Sequence, residues 1–399
     1  MRADVVVVGA GPAGASAAIR LAREGFEVTL IDRARFPRPK ACGEFLSPGA
    51  TPILEELGVR AAVEAAGALR LERVRIDAHG ASVELDFPPD LGAPAWGYSL
   101  SRAALDTILV DAARRAGARV LEETRVDDIR IGADRVRVGA REPDGASRSI
   151  DARLVLGAGG RGCPVARAIG GRRRQGRPRF DLLAHWSAAP AERATCALVV
   201  RGDRYVAVAP IEGGRWNVNC VVSRSALRAS RDPAVLYRQV VAEVAPPATA
   251  PDEAVAASDV TAFRTRRATA DRALLIGDAA LFLDPFTGQG IYLALRSAAL
   301  AAGVAARALA SGRYDRRGLS PYPVAWRKEF AARVRVSRGL QAILYRPRTA
   351  RSFVRALTRD PVLARSLAAA TGDLVPSERI WSATWSARLI AAGLAEIRT

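Results

Sequence analysis

The sequence is poor in the residues from which metal centres, disulfide frameworks and hydrolase triads are built. It has two histidines, His79 and His185, and four cysteines, none of them in a CxxC pair. Because the sequence has so few potential metal ligands and catalytic bases, a zinc site or a Ser-His-Asp triad is hard to form. We therefore expect no metal. Cysteines without a pairing pattern are typical of reduced thiols, and we therefore expect a cytoplasmic protein.

Long apolar runs and polar low-complexity tracts are also missing. No uninterrupted apolar run reaches the ~18 residues that a membrane span needs. The first residues enter a strand-like run and lack the charged-then-apolar pattern of a secretory signal. Hydrophobic residues make up 49% of the 399 residues, which predicts a fully folded protein of two or three domains.

Lysine is nearly absent, and the net charge of +19 therefore comes almost entirely from arginine. The arginines are dispersed along the chain, without helix-turn-helix, RNP or zinc-finger spacing, so we expect no nucleic-acid partner. The positive charge is compatible with attraction to acidic substrates or to an anionic membrane surface, and therefore with peripheral membrane contact.

A strand–turn–helix–strand pattern occupies the first 32 residues. A β-branched run over 4–8 precedes a glycine-rich turn, apolar residues at helical spacing cover 15–23, and a second strand over 26–31 ends at Asp32. This order is typical of a nucleotide-binding βαβ unit, in which an acidic residue about 20 residues after the turn binds the ribose.

Each glycine of this turn has a physical role in dinucleotide binding. Gly9 permits the tight turn, Gly11 lets the backbone approach a pyrophosphate, and Gly14 lets helix and strand pack closely. The N–H groups and dipole of the helix that follows attract phosphate. We therefore predict a dinucleotide site made of the turn and the end of the second strand: Gly9, Gly11, Pro12, Ala13, Gly14, Asp32 and Arg33.

A second pattern places an acid and then glycines near residue 280. A short apolar strand over 273–276 runs into Asp278, and Gly288 and Gly290 precede a long helix over 291–310. A carboxylate at the end of a strand suits a cofactor lying across the sheet. The N–H groups at the helix start stabilise negative charge.

With these motifs the sequence resembles the flavoprotein superfamily of para-hydroxybenzoate hydroxylase, and within it the geranylgeranyl reductase-like branch. Four motifs in the first three quarters of the chain carry the resemblance: Gly9–Gly14 with Asp32, Cys42-Gly43-Glu44-Phe45-Leu46-Ser47-Pro48, Ser101-Arg102-Ala103-Ala104-Leu105-Asp106, and Gly277-Asp278 through Asp284-Pro285-Phe286-Thr287-Gly288-Gln289-Gly290-Ile291. The resemblance implies FAD as the cofactor.

The resemblance also implies roles for individual residues. Arg102 is expected near the phosphates or ring of FAD, and Asp278 at its diphosphate and ribityl part. Cys42 and Glu44 are expected near the flavin and the substrate, as candidate catalytic residues. The other cofactor contacts that we expect are Val126, Gly277, Pro285, Gly288, Gln289, Gly290 and Ile291.

Two departures from the family pattern bear on the reaction. Gly159-Gly160 replaces an Asp-Gly pair that serves FAD and NAD(P)H in the family. Because the carboxylate of that pair is missing here, the electron donor is either NAD(P)H or a separate reductant such as an electron-donor protein. The Tyr-x-Trp-x-Phe-Pro strand of the reductases is here Tyr205-Val206-Ala207-Val208-Ala209-Pro210, with alanines in place of two aromatic residues. We expect Tyr205, Ala207 and Pro210 to contact a hydrophobic small-molecule substrate in a reshaped pocket.

The implied fold is α/β: a Rossmann-type FAD-binding domain with an inserted antiparallel β-sheet substrate domain and a helical C-terminus. Alternating strands over 180–222 favour the antiparallel sheet, and we expect the C-terminal helices to form a packed lid or a dimer face. The sequence does not indicate an oligomeric state. The domain boundaries that we predict are 1–75, 98–175 and 265–320 for FAD binding, 76–97 and 176–264 for the substrate, and 321–399 for the helical region.

Three functions are compatible with this interpretation. The first is flavin-hydroperoxide monooxygenation of an apolar small molecule, such as a polyketide, an aromatic or an isoprenoid-like compound. The second is reduction of a carbon–carbon double bond, with Cys42 or Glu44 supplying the proton, and the third is a non-catalytic flavoprotein that binds a lipid or a partner. The branch resemblance favours reduction, whereas the missing aromatics and the breadth of hydroxylases on this fold favour oxygenation. On balance we predict oxygenation.

Overall fold

A computed structural model describes residues 1–91, 94–174, 178–187, 195–244 and 251–394 of the chain. Within these ranges the strands are β1 Arg2–Val8, β2 Val28–Ile31, β3 Phe45–Leu46, β4 Leu69–Leu71, β5 Arg73–Ala78, β6 Ala81–Asp86, β7 Gly97–Ser99, β8 Arg119–Leu121, β9 Arg125–Ile131, β10 Val136–Arg141, β11 Ser147–Gly157, β12 Arg172–Arg174, β13 Arg179–Trp186, β14 Thr195–Arg201, β15 Arg204–Ile211, β16 Arg215–Ser223, β17 Ala256–Asp259, β18 Phe263–Thr265, β19 Thr269–Ala270, β20 Ala273–Leu275 and β21 Leu281–Phe282.

The α-helices in the same ranges are α1 Pro12–Arg23, α2 Thr51–Glu56, α3 Arg60–Ala65, α4 Arg102–Arg115, α5 Pro164–Ala168, α6 Arg224–Ser230, α7 Pro233–Ala242, α8 Gly290–Ser311, α9 Pro321–Leu344, α10 Pro347–Arg359, α11 Pro361–Thr371 and α12 Ala383–Leu394. Proline at the first helical position begins several of them, where its missing N–H costs nothing.

The central sheet is built around β1, which pairs in parallel with β2 on one side and β11 on the other. The strand order is β19-β20-β11-β1-β2-β8, and the antiparallel strands β9 and β10 extend it from β11. Val5–Val8 are buried, because this strand is covered on both faces, as parallel strands usually are. The carboxyl ends of β1, β2 and β20 therefore meet at one edge, and the predicted α/β class is confirmed.

Helix α8 runs through the core beside α1 and α9. By length and composition it is apolar enough to cross a membrane, but most of its apolar window is buried inside the protein. Ala298, Ala301 and Ala305 have no exposed surface. These are the properties of a central core helix.

The second large sheet has the order β17-β13-β16-β15-β14-β5-β6. The run β13-β16-β15-β14 is antiparallel, as the alternating pattern predicted, whereas β14 and β5 pair in parallel. Helices α10 and α11 pack on β5 and β6, so the helical C-terminus covers this sheet. The predicted boundary between residues 75 and 76 cuts through β5, and the one between 175 and 176 falls outside the described residues.

Candidate active site

One cavity brings together most of the residues that the sequence analysis selects. Its walls are the N-terminal ends of α1 and α8, the segment 40–45, one face of the seven-stranded sheet, and side chains of α9 and α11. The two helix N-termini present their unpaired N–H groups and positive dipole ends to the same space. Such a cavity suits a ligand with a negatively charged part and an apolar part.

The tight turn after β1 needs glycine at two positions. Gly9 has a φ of +107°, and a Cβ on Gly14 would lie 1.7 Å from the carbonyl oxygen of Gly9. The Asp32 carboxylate braces the turn, since it accepts hydrogen bonds from the Ala10 N–H (2.7 Å) and the Ala34 N–H (3.0 Å). Asp32 is only partly buried, so its oxygens retain room for a ligand hydroxyl.

Two guanidinium groups lie over Gly11. A Cβ placed there would be 3.6 Å from Nη2 of Arg102 and 3.7 Å from Nη2 of Arg38. Asp106 holds both cations: Arg102 donates to its two oxygens at 2.9 and 2.7 Å, and Arg38 lies 3.2 Å away. Burial works to lower the pKa of Arg102, but Asp106 and Cys42 together outweigh it and the pKa is raised. Two fixed cations beside an open glycine backbone suit a pyrophosphate.

Asp278 follows the end of β20 and lines the cavity, as predicted. Burial raises the pKa of its carboxyl, and the positive charges of Lys40, Arg161 and Arg102 oppose that rise. Lys40 and Arg161 line the same cavity. Neither of these two cations is among the site residues predicted from the sequence, although each lies next to a motif that was used for the prediction.

The turn before α8 fits closely against the segment at residue 45. A single 3-10 turn, Pro285–Thr287, ends at Gly288, whose φ is +69°. A Cβ on Gly288 would lie 2.8 Å from the ring of Phe45. The predicted glycine is therefore required by a positive φ and by a close approach, and both segments face the cavity.

A buried carboxylate ties the start of α8 to the C-terminal helices. Asp373 accepts hydrogen bonds from Gln289 Nε2 (2.6 Å), Arg333 Nε (2.9 Å) and Ser47 Oγ (2.8 Å). Burial raises the pKa of Asp373 to about 6, against the opposing effect of Arg333. Gln289 is thus engaged by the protein itself, and its predicted contact with the cofactor stays a prediction.

The Glu44 carboxylate joins three parts of the molecule. Its Oε1 accepts from the backbone N–H of Arg102 (2.8 Å), and its Oε2 accepts from Asn217 Nδ2 (2.9 Å) and lies 2.9 Å from His185 Nε2. His185 also contacts Glu253, and the hydrogen bond with Glu44 raises the pKa of the imidazole. Because these partners occupy the carboxylate, the arrangement favours a positioning role for Glu44 over the proton-donor role considered from the sequence.

The Cys42 thiol lines the cavity beside Arg102. Burial raises the pKa of the thiol, and the Arg102 charge offsets part of the rise. Both the backbone and the side chain of this residue are held, because its carbonyl accepts from Asn217 Nδ2 (2.8 Å) and its Sγ accepts from the Glu44 N–H (3.4 Å). A thiol that stays protonated at the cavity wall suits a proton donor better than a thiolate nucleophile.

Alternation along β15 decides which predicted substrate residues reach the cavity. Tyr205 and Ala207 line it, and the Tyr205 hydroxyl donates to Asp284 (2.9 Å). Successive side chains of a strand point to opposite faces. Pro210 accordingly lies in a separate, smaller pocket with Trp216, so the structure does not bring it to the predicted substrate site.

The remainder of this wall is largely apolar and comes from the sheet and from the C-terminal helices. Its members include Val74, Ile76, Leu85, Phe87, Leu198, Val260, Leu340, Leu344, Leu367 and Ala368. Helices α9 and α11 therefore form part of the cavity wall itself.

Other predicted cofactor residues lie outside the cavity wall. Arg33 is exposed, and Val126 is buried in the core of the central sheet with Ile31. Gly277 is a packing position, where a Cβ would lie 2.9 Å from the Cβ of Ala13. A role for these three residues toward a cofactor stays a prediction.

The residues present fit FAD. Gly11 leaves open backbone beneath two guanidinium groups, and Asp32, directly after β2, is hydrogen-bonded to the neighbouring Ala10. Asp278 and the N-terminus of α8 lie further along the same cavity. These features supply, in order, sites for a pyrophosphate, an adenosine ribose, a ribityl chain and an electron-rich ring.

Comparison with known sequences agrees with this assignment. The family model described as "FAD binding domain" matches residues 2–335. The menaquinone reductase of Mycolicibacterium smegmatis is 29% identical over 415 residues, which span 100% of this chain and 97% of that protein. Digeranylgeranylglycerophospholipid reductase 2 of Methanothermobacter thermautotrophicus is 30% identical, over 86% of this chain and 88% of its own.

Comparison with solved structures supports the same fold. A flavoprotein/dehydrogenase from Cytophaga hutchinsonii superposes with a TM-score of 0.89 at 22% identity, covering 99% of this chain and 100% of that one. The flavin-dependent halogenase CmlS has a TM-score of 0.80 at 26% identity and covers 100% of this chain and 78% of its own.

Proposed function

This chain belongs to the FAD binding domain family and is an FAD-dependent oxidoreductase, and we propose that it reduces a carbon–carbon double bond in the polyprenyl chain of a lipid. The observation that carries the proposal is the apolar cavity, which extends from the glycine-rich turn to α9 and α11. Relatives that align over most of the chain are named as reductases of lipids with such chains. Reduction, the alternative to the oxygenation expected from the sequence, is therefore the better-supported reaction.

The residues of the chain would have the following roles in this reaction. When bound and reduced, FAD would supply a hydride, an electron pair together with one hydrogen, to one carbon of the double bond, and the other carbon needs a proton. The Cys42 thiol is placed to give that proton, since Asn217 holds its carbonyl and the Glu44 N–H holds its sulfur. Arg38 and Arg102 would hold the diphosphate of the cofactor, and the apolar wall would exclude water.

Oxygenation of an electron-rich ring is the second candidate. Ala207 and Ala209 line the cavity without aromatic side chains, and the space they leave suits a ring system. A flavin-dependent halogenase has the same fold, so this fold is not restricted to reductases.

We further propose that the protein works in the cytoplasm and takes electrons from NAD(P)H or from a separate donor protein. The net charge of +19 favours peripheral contact with an anionic membrane, where a polyprenyl lipid resides.

The experiment is a single turnover under nitrogen. The purified holoenzyme is reduced with dithionite, desalted, and mixed with geranylgeraniol while flavin absorbance is followed. Reoxidation of the flavin together with a product that has gained two hydrogen atoms supports reduction. Turnover only in air, with one oxygen atom added, supports the second candidate, and no turnover in either condition supports a non-catalytic flavoprotein.

A further inference from the structure

Three buried oxygen atoms on one wall of the cavity have no hydrogen-bond partner among the described residues. They are Asp181 Oδ1, Asn219 Oδ1 and Ser258 Oγ, and all three residues line the cavity. Asp181 and Asn219 are 3% and 2% exposed. Buried polar atoms are nearly always hydrogen-bonded, because leaving one unsatisfied is costly.

The strand register places the three side chains side by side. Asp181 on β13 lies directly opposite Ser258 on β17 and opposite Val221 on β16. Asn219 is two residues from Val221 on β16, and side chains two apart share a face. Directly and diagonally opposed residues of neighbouring strands lie close enough to contact one small group together.

The charges around Asp181 are few. Burial raises the pKa of its carboxyl to about 7, against the effect of Arg161 and with a contribution from Asp284. At neutral pH the group is therefore present in both forms, and it can donate or accept a hydrogen bond. Ser258 can do the same through its hydroxyl, and the Asn219 oxygen accepts.

The three residues also lie beside the segment that carries the proposed proton donor. A Cβ on Gly43 would be 3.7 Å from Asn219 Nδ2, and Asn217 on the same strand binds the Cys42 carbonyl. A ligand group held on this wall is therefore held near the reacting end of the cavity.

We infer that Asp181, Asn219 and Ser258 form a polar subsite that binds a hydroxyl group of the substrate. A hydroxyl both donates and accepts, as these three oxygens together require. The substrate is then a hydroxylated isoprenoid, an alcohol or a hydroquinone, and not a plain hydrocarbon. This inference rests on the proposed function and narrows it.

The test compares two probes that differ in one group: geranylgeraniol and the tetraene hydrocarbon with the same chain and no hydroxyl. Dissociation constants are measured on the holoenzyme from the change in flavin fluorescence. We expect the alcohol to bind the native protein about 10-fold more tightly, the usual effect of one added hydrogen bond in a buried site. The ratio of the two constants should fall to about one in Asp181→Leu and in Asn219→Ala.

Leu198→Ala is the matched control, since Leu198 lines the same cavity with an apolar side chain. It should weaken both probes and leave their ratio unchanged. Either of the two subsite variants suffices if the other does not fold.

Each other outcome has a separate meaning. Equal binding of both probes by the native protein, with anaerobic turnover intact, overturns the subsite and leaves the proposed function standing; the three oxygens then bind water only. A ratio that survives both subsite variants also overturns it. If neither probe binds, the proposed function fails, and the subsite fails with it.

Discussion

The polar groups at the two ends of the cavity differ in whether the protein itself provides their hydrogen-bond partners. At the cofactor end, several charged side chains are held by other parts of the protein: Asp106 binds Arg102 and Arg38, and Glu44 is shared by Asn217 and His185. At the substrate end, oxygens of three residues face the cavity with no partner among the described residues.

The difference shows which parts of the site are complete before any ligand arrives. Preformed ion pairs keep the phosphate-binding groups oriented, so cofactor binding does not have to order them. Unpaired oxygens in an apolar wall leave hydrogen bonds for a ligand to make, which is how a cavity gains selectivity. Variants at the cofactor end should therefore abolish flavin binding, whereas variants at the substrate end should change turnover and leave the flavin in place.

The largest expected effect is at the glycine-rich turn. Gly14→Ala would place a Cβ 1.7 Å from the Gly9 carbonyl oxygen, so the turn cannot form and the protein should lose both FAD and its thermal transition. Gly11→Ala is the matched variant, because its Cβ meets only the ends of Arg102 and Arg38, at ordinary contact distance. It should fold and lose most of its FAD.

Absorbance of the purified proteins gives the flavin content, and circular dichroism gives the thermal transition. A fully yellow Gly11→Ala protein would mean that the pyrophosphate does not pass over this residue.

The next effect is at the proposed proton donor. Cys42→Ala should keep its FAD and lower the rate of anaerobic turnover about 100-fold, a typical loss when a general acid is removed. Cys196→Ala is the control, since Cys196 lies in the same cavity on the sheet wall, and it should turn over normally. Equal rates for the native protein and Cys42→Ala would make Cys42 a packing residue.

A smaller effect is expected on the sheet. Ala207→Leu adds atoms to the cavity, so part of the substrate's apolar contact with the wall is lost. We expect KM for geranylgeraniol to rise about 10-fold with unchanged FAD content, because losing a few apolar contacts typically weakens binding by about that factor. Val206→Leu adds one carbon on the opposite face, into a packed core. This substitution should lower the melting temperature, as overpacking does, and leave KM unaltered. A change in KM for Val206→Leu would contradict the assignment of the two faces of β15.

The cofactor end was also the part that the sequence could predict. The turn from Gly9 to Gly14 and the acid at Asp32 belong to one βαβ unit, so their spacing along the chain determines their spacing in space. The cap at Ser101 has the same local character, since its side chain accepts from the Ala104 N–H three residues along the chain.

The substrate end depends on contacts between distant segments, which spacing does not reveal. Asp373 binds Ser47 across 326 residues, and Asp181 meets Ser258 through a strand pairing that no local pattern encodes. Pro210 was misplaced for a simpler reason. It lies an odd number of residues from Tyr205, so strand alternation alone would have placed the two side chains on opposite faces.

The last expected effect is on stability, and it separates the two kinds of buried carboxylate. Burial raises the pKa of Asp181 to about 7 from its ordinary value of 3.8, so the folded protein binds an extra proton between these pH values and loses stability as pH rises through them. Asp181→Asn does not titrate and should escape this loss. Its advantage over the native protein should grow by about 3 kcal/mol between pH 5 and pH 8, read from denaturant unfolding of the holoenzyme.

Asp373→Asn is the opposing case, because Asp373 has a similarly raised pKa of about 6 but three hydrogen-bond partners. Its replacement removes a buried ion pair with Arg333, which then keeps Glu329 as its carboxylate partner, and should destabilise the protein at pH 8 by about 2 kcal/mol. The contrast rests on the partners and not on burial, which the two carboxylates share. If Asp181→Asn is also destabilising at pH 8, then Asp181 has a partner in the folded protein, and the difference between the two ends of the cavity disappears.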